Sequence, residues 1–209
     1  MRLALHRLKK RISVAVSRAA DWALFAGVVL VGGLGSSWYM VEAGSRLTTE
    51  HIGPWTSWTA AAQPTADPYT RAHFARLGTL PLSTEVASAY VSRSDDEGQR
   101  LHSSCQYVVE GHDFQAAWWS LSVFDDRGRL IQNAAQRYAY TSDTIALEPD
   151  GSFVVALARD ARPANWLPTG GAGRLAIVLT LIEPKRATSA TASGIDPKMM
   201  PTIRKTGCR

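Results

Sequence analysis

Residues 118–131, WWSLSVFDDRGRLI, decide the fold class. Trp119, Leu121 and Val123 alternate with two serines, which is the period-two pattern of a half-buried β-strand. The acidic DDRG that follows ends in a glycine, the residue that most readily adopts the positive backbone angle of a tight turn. The sequence therefore predicts a hairpin in which residues 128–133 pair back onto the strand.

The same alternation recurs along the rest of the chain. Eight or so short strands without intervening helices predict a β-sandwich or a barrel. The last predicted strand, within 174–184, is apolar on both faces, so we expect it at the centre of a sheet. The other segments with strand character are 83–93, 100–111, 137–151 and 152–159.

A short helix is predicted to open this domain. Asp67 is a good N-cap, Pro68 suits the first helical position, and Gly78 suits the end of the helix. The segment 42–66 before it is rich in Gly, Pro, Thr and Ala, which favours an extended linker. Its two tryptophans are expected to rest on the membrane interface or to pack on the domain.

Residues 22–41, WALFAGVVLVGGLGSSWYMV, carry no charge and are long enough to cross a bilayer as one helix. Trp22, Trp38 and Tyr39 match the aromatic belts at the two interfaces. Six basic residues and no acidic ones lie in 1–20, so the positive-inside rule keeps the N-terminus cytoplasmic. A cleaved signal peptide is the alternative. The apolar stretch exceeds the usual length for one, and no good cleavage site follows it.

The basic net charge of +5 belongs to the ends of the chain. Residues 21–182 hold eleven basic against sixteen acidic side chains. A nucleic-acid-binding domain carries its basic stripe on the folded body, so this class of protein is not expected.

Cys105 and Cys208 are the two cysteines. In an oxidising compartment an even pair can form a disulfide, which would tie the predicted irregular tail, 187–209, back to the domain. Two free thiols are the alternative.

Little in the sequence points to catalysis. The five histidines lack metal-ligand spacing, and no glycine-rich phosphate loop or nucleophile elbow occurs, so no metal, cofactor or catalytic residue is predicted. Asn133, Arg137 and Tyr138 are candidates for lining a polar ligand site, with a solvated strand face as the alternative. Tyr140 accompanies them.

Trp166 lies in NWLP, between two prolines and before a double glycine, where neither helix nor strand is expected. An indole can close the open end of a sandwich, so Trp166 is predicted to be a lid over the core. A ligand-stacking surface is the alternative, and Trp166 is therefore also a binding candidate.

The segments 118–144 and 149–184 together resemble the bacterial family called domain of unknown function 1214. The resemblance covers roughly 99–184, and 67–72 resembles the short membrane-anchored members. It implies a jelly-roll-like β-sandwich and a companion protein of the domain of unknown function 1254 type, but no established reaction. The residues that carry it are Trp119, Ser120, Asp125, Gly128, Asn133, Arg137, Tyr138, Asp150, Gly151, Ser152, Asn165, Trp166, Leu167 and Pro168.

The sequence thus predicts a mainly β protein held in the bacterial inner membrane by an uncleaved signal anchor, with a periplasmic, non-catalytic binding domain. The alternative is a hydrolase acting on an envelope glycan or a small ester. The predicted parts are a basic cytoplasmic segment, a transmembrane helix, a linker, a β-sandwich and an irregular tail, at 1–21, 22–41, 42–66, 67–186 and 187–209.

Overall fold

A computed structural model describes residues 2–184 and 195–208, and for residues 2–15 it describes the backbone only. The chain forms two compact units, Met1–Gly44 and Ser45–Arg209. The first unit is one helix, α1 (Arg2–Ala43). It begins earlier than the predicted span because the basic segment is rich in the good helix formers Leu, Arg, Lys and Ala. Its part Val16–Ala43 is long and apolar enough to cross a membrane.

The second unit contains two β-sheets and a short helix. One sheet has six strands in the order β1-β2-β3-β9-β5-β6, and the other has four in the order β10-β4-β7-β8. In chain order the elements are β1 (Thr49–Ile52), β2 (Trp55–Trp58), α2 (Pro68–Leu77), β3 (Ala87–Ser92), β4 (Cys105–His112), β5 (Trp118–Asp125), β6 (Ala139–Thr141), β7 (Ser152–Ala158), β8 (Asn165–Pro168), β9 (Leu175–Ile182), a 3-10 helix (Pro197–Met199) and β10 (Thr202–Cys208).

The two sheets pack face to face, which confirms the predicted β-sandwich. Trp119 of β5 is fully buried, and its ring stacks on that of Phe153 in β7 with centroids 5.2 Å apart. Its indole N–H donates to Asp113 Oδ1 at 2.8 Å, which satisfies the one polar group of the buried ring. Aromatic side chains from both sheets thus fill the middle of the core.

Strand β9 is central, as predicted. It pairs antiparallel with β3 on one side and with β5 on the other. Leu175, Ile177 and Leu179 are buried on its inner face, and Ala176 on its outer face is buried too.

The predicted hairpin after β5 is wrong beyond its turn. Gly128 has the expected positive φ of 72°, and Asp125 Oδ1 accepts the backbone N–H groups of Arg127 and Arg129. The return segment then makes an isolated bridge from Leu130 to Phe124, and the structure assigns it no strand within 126–138. The reason is competition, because β9 and β6 already pair with the two edges of β5.

The prediction of an extended linker over 42–66 is also wrong, because this segment contains a β-hairpin. Ile52 pairs with Trp55 across a two-residue turn, and Gly53 takes a φ of 56° there. The Trp55 side chain is only 1% exposed, and its N–H donates to the Pro201 carbonyl at 2.7 Å. This indole packs on the domain because its large apolar surface is removed from water there.

The tail is ordered where the structure describes it, contrary to the expectation for 187–209. Strand β10 pairs with β4 from Thr202 opposite Glu110 to Cys208 opposite Cys105, and Ile203 is fully buried. Residues 187–194 and residue 209 of the predicted tail lie outside the described residues.

Helix α2 has the predicted caps. Asp67 Oδ1 accepts the backbone N–H groups of Tyr69 and Thr70, and Gly78 is left-handed with a φ of 64°. Burial raises the pKa of Asp67, but the hydrogen bonds from Thr70 and Tyr69 outweigh it and leave that pKa below its usual value. His73 stacks on Trp58 of β2 with ring centroids 4.1 Å apart, which fixes the helix against the six-stranded sheet.

Candidate functional site

The sequence-predicted residues meet where the edge strand of one sheet approaches the edge strand of the other. Tyr140 belongs to β6 and Trp166 to β8. The Tyr140 hydroxyl oxygen accepts the backbone N–H of Trp166 at 2.9 Å and Arg137 Nη1 at 3.0 Å. We call these three residues the Tyr140 edge.

The Arg137 guanidinium lies over both aromatic rings of this edge. Its central carbon is 5.6 Å from the Tyr140 ring centroid and 6.0 Å from that of Trp166, within the range of a cation–π contact. Nη1 also donates to the Trp166 carbonyl at 3.4 Å. Within the described residues no acceptor faces Nη2 or Nε, and the side chain is exposed. The edge therefore offers a fixed cation, with free donors, between two aromatic faces.

Asn133 holds the loop that carries Arg137. Its amide nitrogen donates to the carbonyls of Ile131 and Arg137, and its oxygen accepts the Arg137 N–H at 3.0 Å. All these partners are backbone groups, so the amide positions Arg137 instead of reaching toward a ligand. Tyr138 is half-buried and donates to Gln132 Oε1 at 3.3 Å.

Trp166 is not the lid that the sequence predicts. NWLP forms strand β8, which runs parallel to β7, with Trp166 opposite Ala156. Trp166 is half-buried, and its indole N–H donates to the Ala158 carbonyl at 3.0 Å. Alternation along the strand sends Leu167 into the core instead, where it is 1% exposed.

Asn165, which the sequence analysis names only for the family resemblance, has a structural role beside this edge. It is 5% exposed. Its side chain accepts the Ala146 N–H and donates to the carbonyls of Ala146 and Val154. It therefore satisfies backbone groups that would otherwise be buried without partners. The signal for it was an Asn beside an apolar pair in NWLP.

Cys105 and Cys208 form a disulfide, which is the first of the two alternatives that the sequence left open. They face each other at the end of the β4–β10 pair. The alternative of two free thiols is wrong for this structure.

A cavity of about 180 Å³ lies away from the Tyr140 edge. It is smaller than the roughly 300–1,000 Å³ of a usual small-molecule pocket. Among the described residues no group of three His, Cys, Asp or Glu could hold a metal ion. The cavity is lined by Phe114, Gln115, Leu181, Pro184, Ile195, Asp196 and Met199.

A family model described as "Protein of unknown function (DUF1214)" matches residues 86–186. This match confirms the resemblance of residues 86–186 to the DUF1214 family. The DUF1214 match contains strands β3 to β9 and the whole Tyr140 edge. Three strands fall outside this match, β1, β2 and β10. The first two lie at the edge of the six-stranded sheet away from β6, and β10 lies at the edge of the four-stranded sheet away from β8.

A solved structure shares the fold of the β-sandwich unit. The VPA0106 protein of Vibrio parahaemolyticus has a TM-score of 0.54 and 19% identity, over 69% of this chain and 37% of that one. A putative uncharacterized protein from Burkholderia cenocepacia has a TM-score of 0.41 and 17% identity, over 59% of this chain and 30% of that one. At 19% identity, the similarity to the Vibrio protein is one of fold.

One curated protein is similar over a short stretch. The rat (Rattus norvegicus) endosomal/lysosomal proton channel TMEM175 is 30% identical over 81 residues, which are 37% of this chain and 16% of that protein. The chain thus spans a small part of the proteins it matches, and channel activity is a property of the rat protein.

Proposed function

We propose that this chain is a single-pass inner-membrane protein whose β-sandwich lies in the periplasm and binds an envelope component without transforming it. The anchor is the apolar part of α1, and the ligand-binding surface is the Tyr140 edge. A companion protein of the domain of unknown function 1254 type is the first partner to test.

The location is supported by two independent features. Basic residues precede the apolar helix, which favours a cytoplasmic N-terminus. The disulfide between Cys105 and Cys208 lies beyond the helix, and disulfides persist in oxidising compartments such as the periplasm.

The single observation that carries the binding role is the open geometry of the Tyr140 edge. An enzyme of the hydrolase type would need a pocket that buries its substrate beside the polar residues. Arg137 is instead exposed over two rings, and the cavity described above is lined by other residues. Aromatic side chains with an arginine are the composition found at the centres of protein interfaces.

Protease added to intact spheroplasts tests the location. The domain after α1 should be digested, while a tag at the N-terminus should survive until the membrane is opened. Survival of the domain together with loss of the N-terminal tag would contradict the proposed orientation.

Site-specific photocrosslinking in native membranes tests the binding surface. A photoreactive residue at Tyr138 should give a discrete adduct, and the same residue at Lys205, an exposed position on the other edge of the four-stranded sheet, should not. Adding Arg137→Ala should remove the adduct, because the guanidinium is the group offered to the ligand. Equal adducts at both positions, or an adduct that survives Arg137→Ala, would reject the Tyr140 edge as the site.

A further inference from the structure

The end of the sandwich that joins α1 bears an exposed apolar rim. We define the leucine rim as Leu47, Leu80, Leu82 and Val86. Leu80 is 98% exposed and Leu47 is 89% exposed, whereas Leu77 at the end of α2 is 54% exposed and Leu130 and Leu147 are less than half exposed. Exposed apolar side chains gathered in one region are typical of a surface that contacts something apolar.

Hydrogen bonds place the segments of Leu47, Leu82 and Val86 at one end of the six-stranded sheet, and Leu80 is two positions before Leu82 in the chain. The Thr48 carbonyl, next to Leu47, accepts both the backbone N–H and the hydroxyl of Thr59. Gln63, in the turn that follows Thr59, donates to the Thr84 hydroxyl, two residues after Leu82. The segments that carry Leu47 and Leu82 therefore both contact the stretch 59–63.

Val86 belongs to this end as well. Its carbonyl accepts the backbone N–H of Glu183, directly after β9, at 2.7 Å. Strand β5 starts at this end, since Trp118 pairs with the last residue of β9. Leu130 follows the turn at the other end of β5, about 20 Å away along the strand.

Chain connectivity keeps this end close to the end of α1. Leu47 is four positions after Ala43, the last residue of the helix, so the two Cα atoms are at most about 14 Å apart. Trp38 and Tyr39 lie in the last two turns of the helix and suit the membrane interface. Each headgroup layer is itself roughly 5–7 Å thick. The rim is thus held within reach of the lipid, where even a weak contact is favoured because it is intramolecular.

We propose that the leucine rim inserts into the headgroup region of the membrane in which α1 is anchored, so that the domain rests on the lipid through this end. This inference depends on the proposed anchoring. Arg46 and Glu85, both exposed, flank the rim with opposite charges, so apolar contact and not attraction to anionic lipid is the driving force. The contact should therefore persist at high salt.

Fluorescence quenching on the full chain tests the proposal. The protein is reconstituted into vesicles of phosphatidylethanolamine and phosphatidylglycerol that contain a lipid with a spin label high on its acyl chain. An environment-sensitive fluorophore is attached to Leu80→Cys or, as the matched control, to Leu130→Cys. The two native cysteines are joined in the disulfide and do not react without reductant.

We expect blue-shifted emission and a several-fold larger quenched fraction at position 80 than at position 130, unchanged in high salt. A protein that floats with the vesicles but shows equal, water-like emission at both positions would overturn the lipid contact and leave the anchor intact. Blue-shifted emission at position 80 without quenching would also overturn it, since a protein or a second copy would then cover the rim. Failure to float would overturn the anchor and this inference together.

Discussion

Replacing both cysteines by serine should destabilise the domain mainly through the unfolded chain. The disulfide closes a loop with a sequence separation of 103 residues. In the chain-entropy model, closing a loop of that length stabilises the folded state by about 4.7 kcal/mol. Cys105 is half-buried and Cys208 is exposed, so the substitutions remove little buried area. The entropic part should therefore dominate the loss.

Strand β10 should remain paired in the folded variant. Ile203 is fully buried, and its backbone N–H donates to Asp96 Oδ2 at 2.8 Å. Burial raises the pKa of Asp96, so this contact is with a carboxyl group that is partly removed from water. We therefore expect an unchanged circular dichroism spectrum together with a lower unfolding midpoint.

Urea unfolding of the full chain in detergent, followed by tryptophan fluorescence, measures the difference. Wild type with reductant is the matched control and should coincide with the double variant. A loss of unfolding free energy below about 1 kcal/mol would refute the entropic account. The unfolded chain without the disulfide would then already keep the segments around Cys105 and Cys208 together.

Three further predictions concern single residues. Leu167→Ala should lower the free energy of unfolding by about 2–5 kcal/mol and Trp166→Ala by less, because only the leucine is in the core. A larger loss for Trp166→Ala in urea unfolding would instead support the role of Trp166 as a lid over the core. Gly111→Ala should cost about 1–3 kcal/mol, since the new Cβ would lie 2.7 Å from the buried Phe153 ring, and an unchanged midpoint would contradict this close approach. The backbone N–H of residue 129 holds the pKa of Asp125 below its usual value. The ionised Asp125 carboxylate therefore stabilises the folded state above its unfolded pKa of about 3.9, and this contribution is lost as pH falls through the folded pKa. The stability gap between wild type and Asp125→Asn, measured by thermal melts, should narrow over that acid range, and a constant gap would show that this carboxylate does not contribute.

The elements that the sequence predicts well are those whose signals are local. The caps of α2 at Asp67 and Gly78 are side-chain and backbone preferences within one turn. The alternation in β5 and the two-sided apolar pattern of β9 report burial directly. The apolar part of α1 needs only length and composition.

The elements that the sequence misses depend on distant partners. Strand β10 has one buried apolar residue, Ile203, and becomes a strand because β4 offers it a free edge. The β1–β2 hairpin did have a local signal, since Gly53 and Pro54 separate two short polar-apolar runs. High Gly and Thr content concealed it.

The candidate site was predicted as a set of residue types and not as an arrangement. Arg137 and Trp166 are 29 positions apart in the chain, and the Tyr140 hydroxyl brings them together across two sheets. The sequence pattern also did not show that the Asn133 side-chain amide hydrogen-bonds the backbone of its own loop. Such contacts are set by how the two sheets pack, which period-two alternation does not encode.

The central place of β9 has a consequence for biosynthesis. The ribosome releases β3 and β5 long before Leu175. Both strands are therefore made before β9, the strand that lies between them in the finished sheet. A partly synthesised chain that lacks β9 therefore cannot complete this sheet. The six-stranded sheet can close only after residues 175–182 have been synthesised, which couples maturation of the domain to the end of translation.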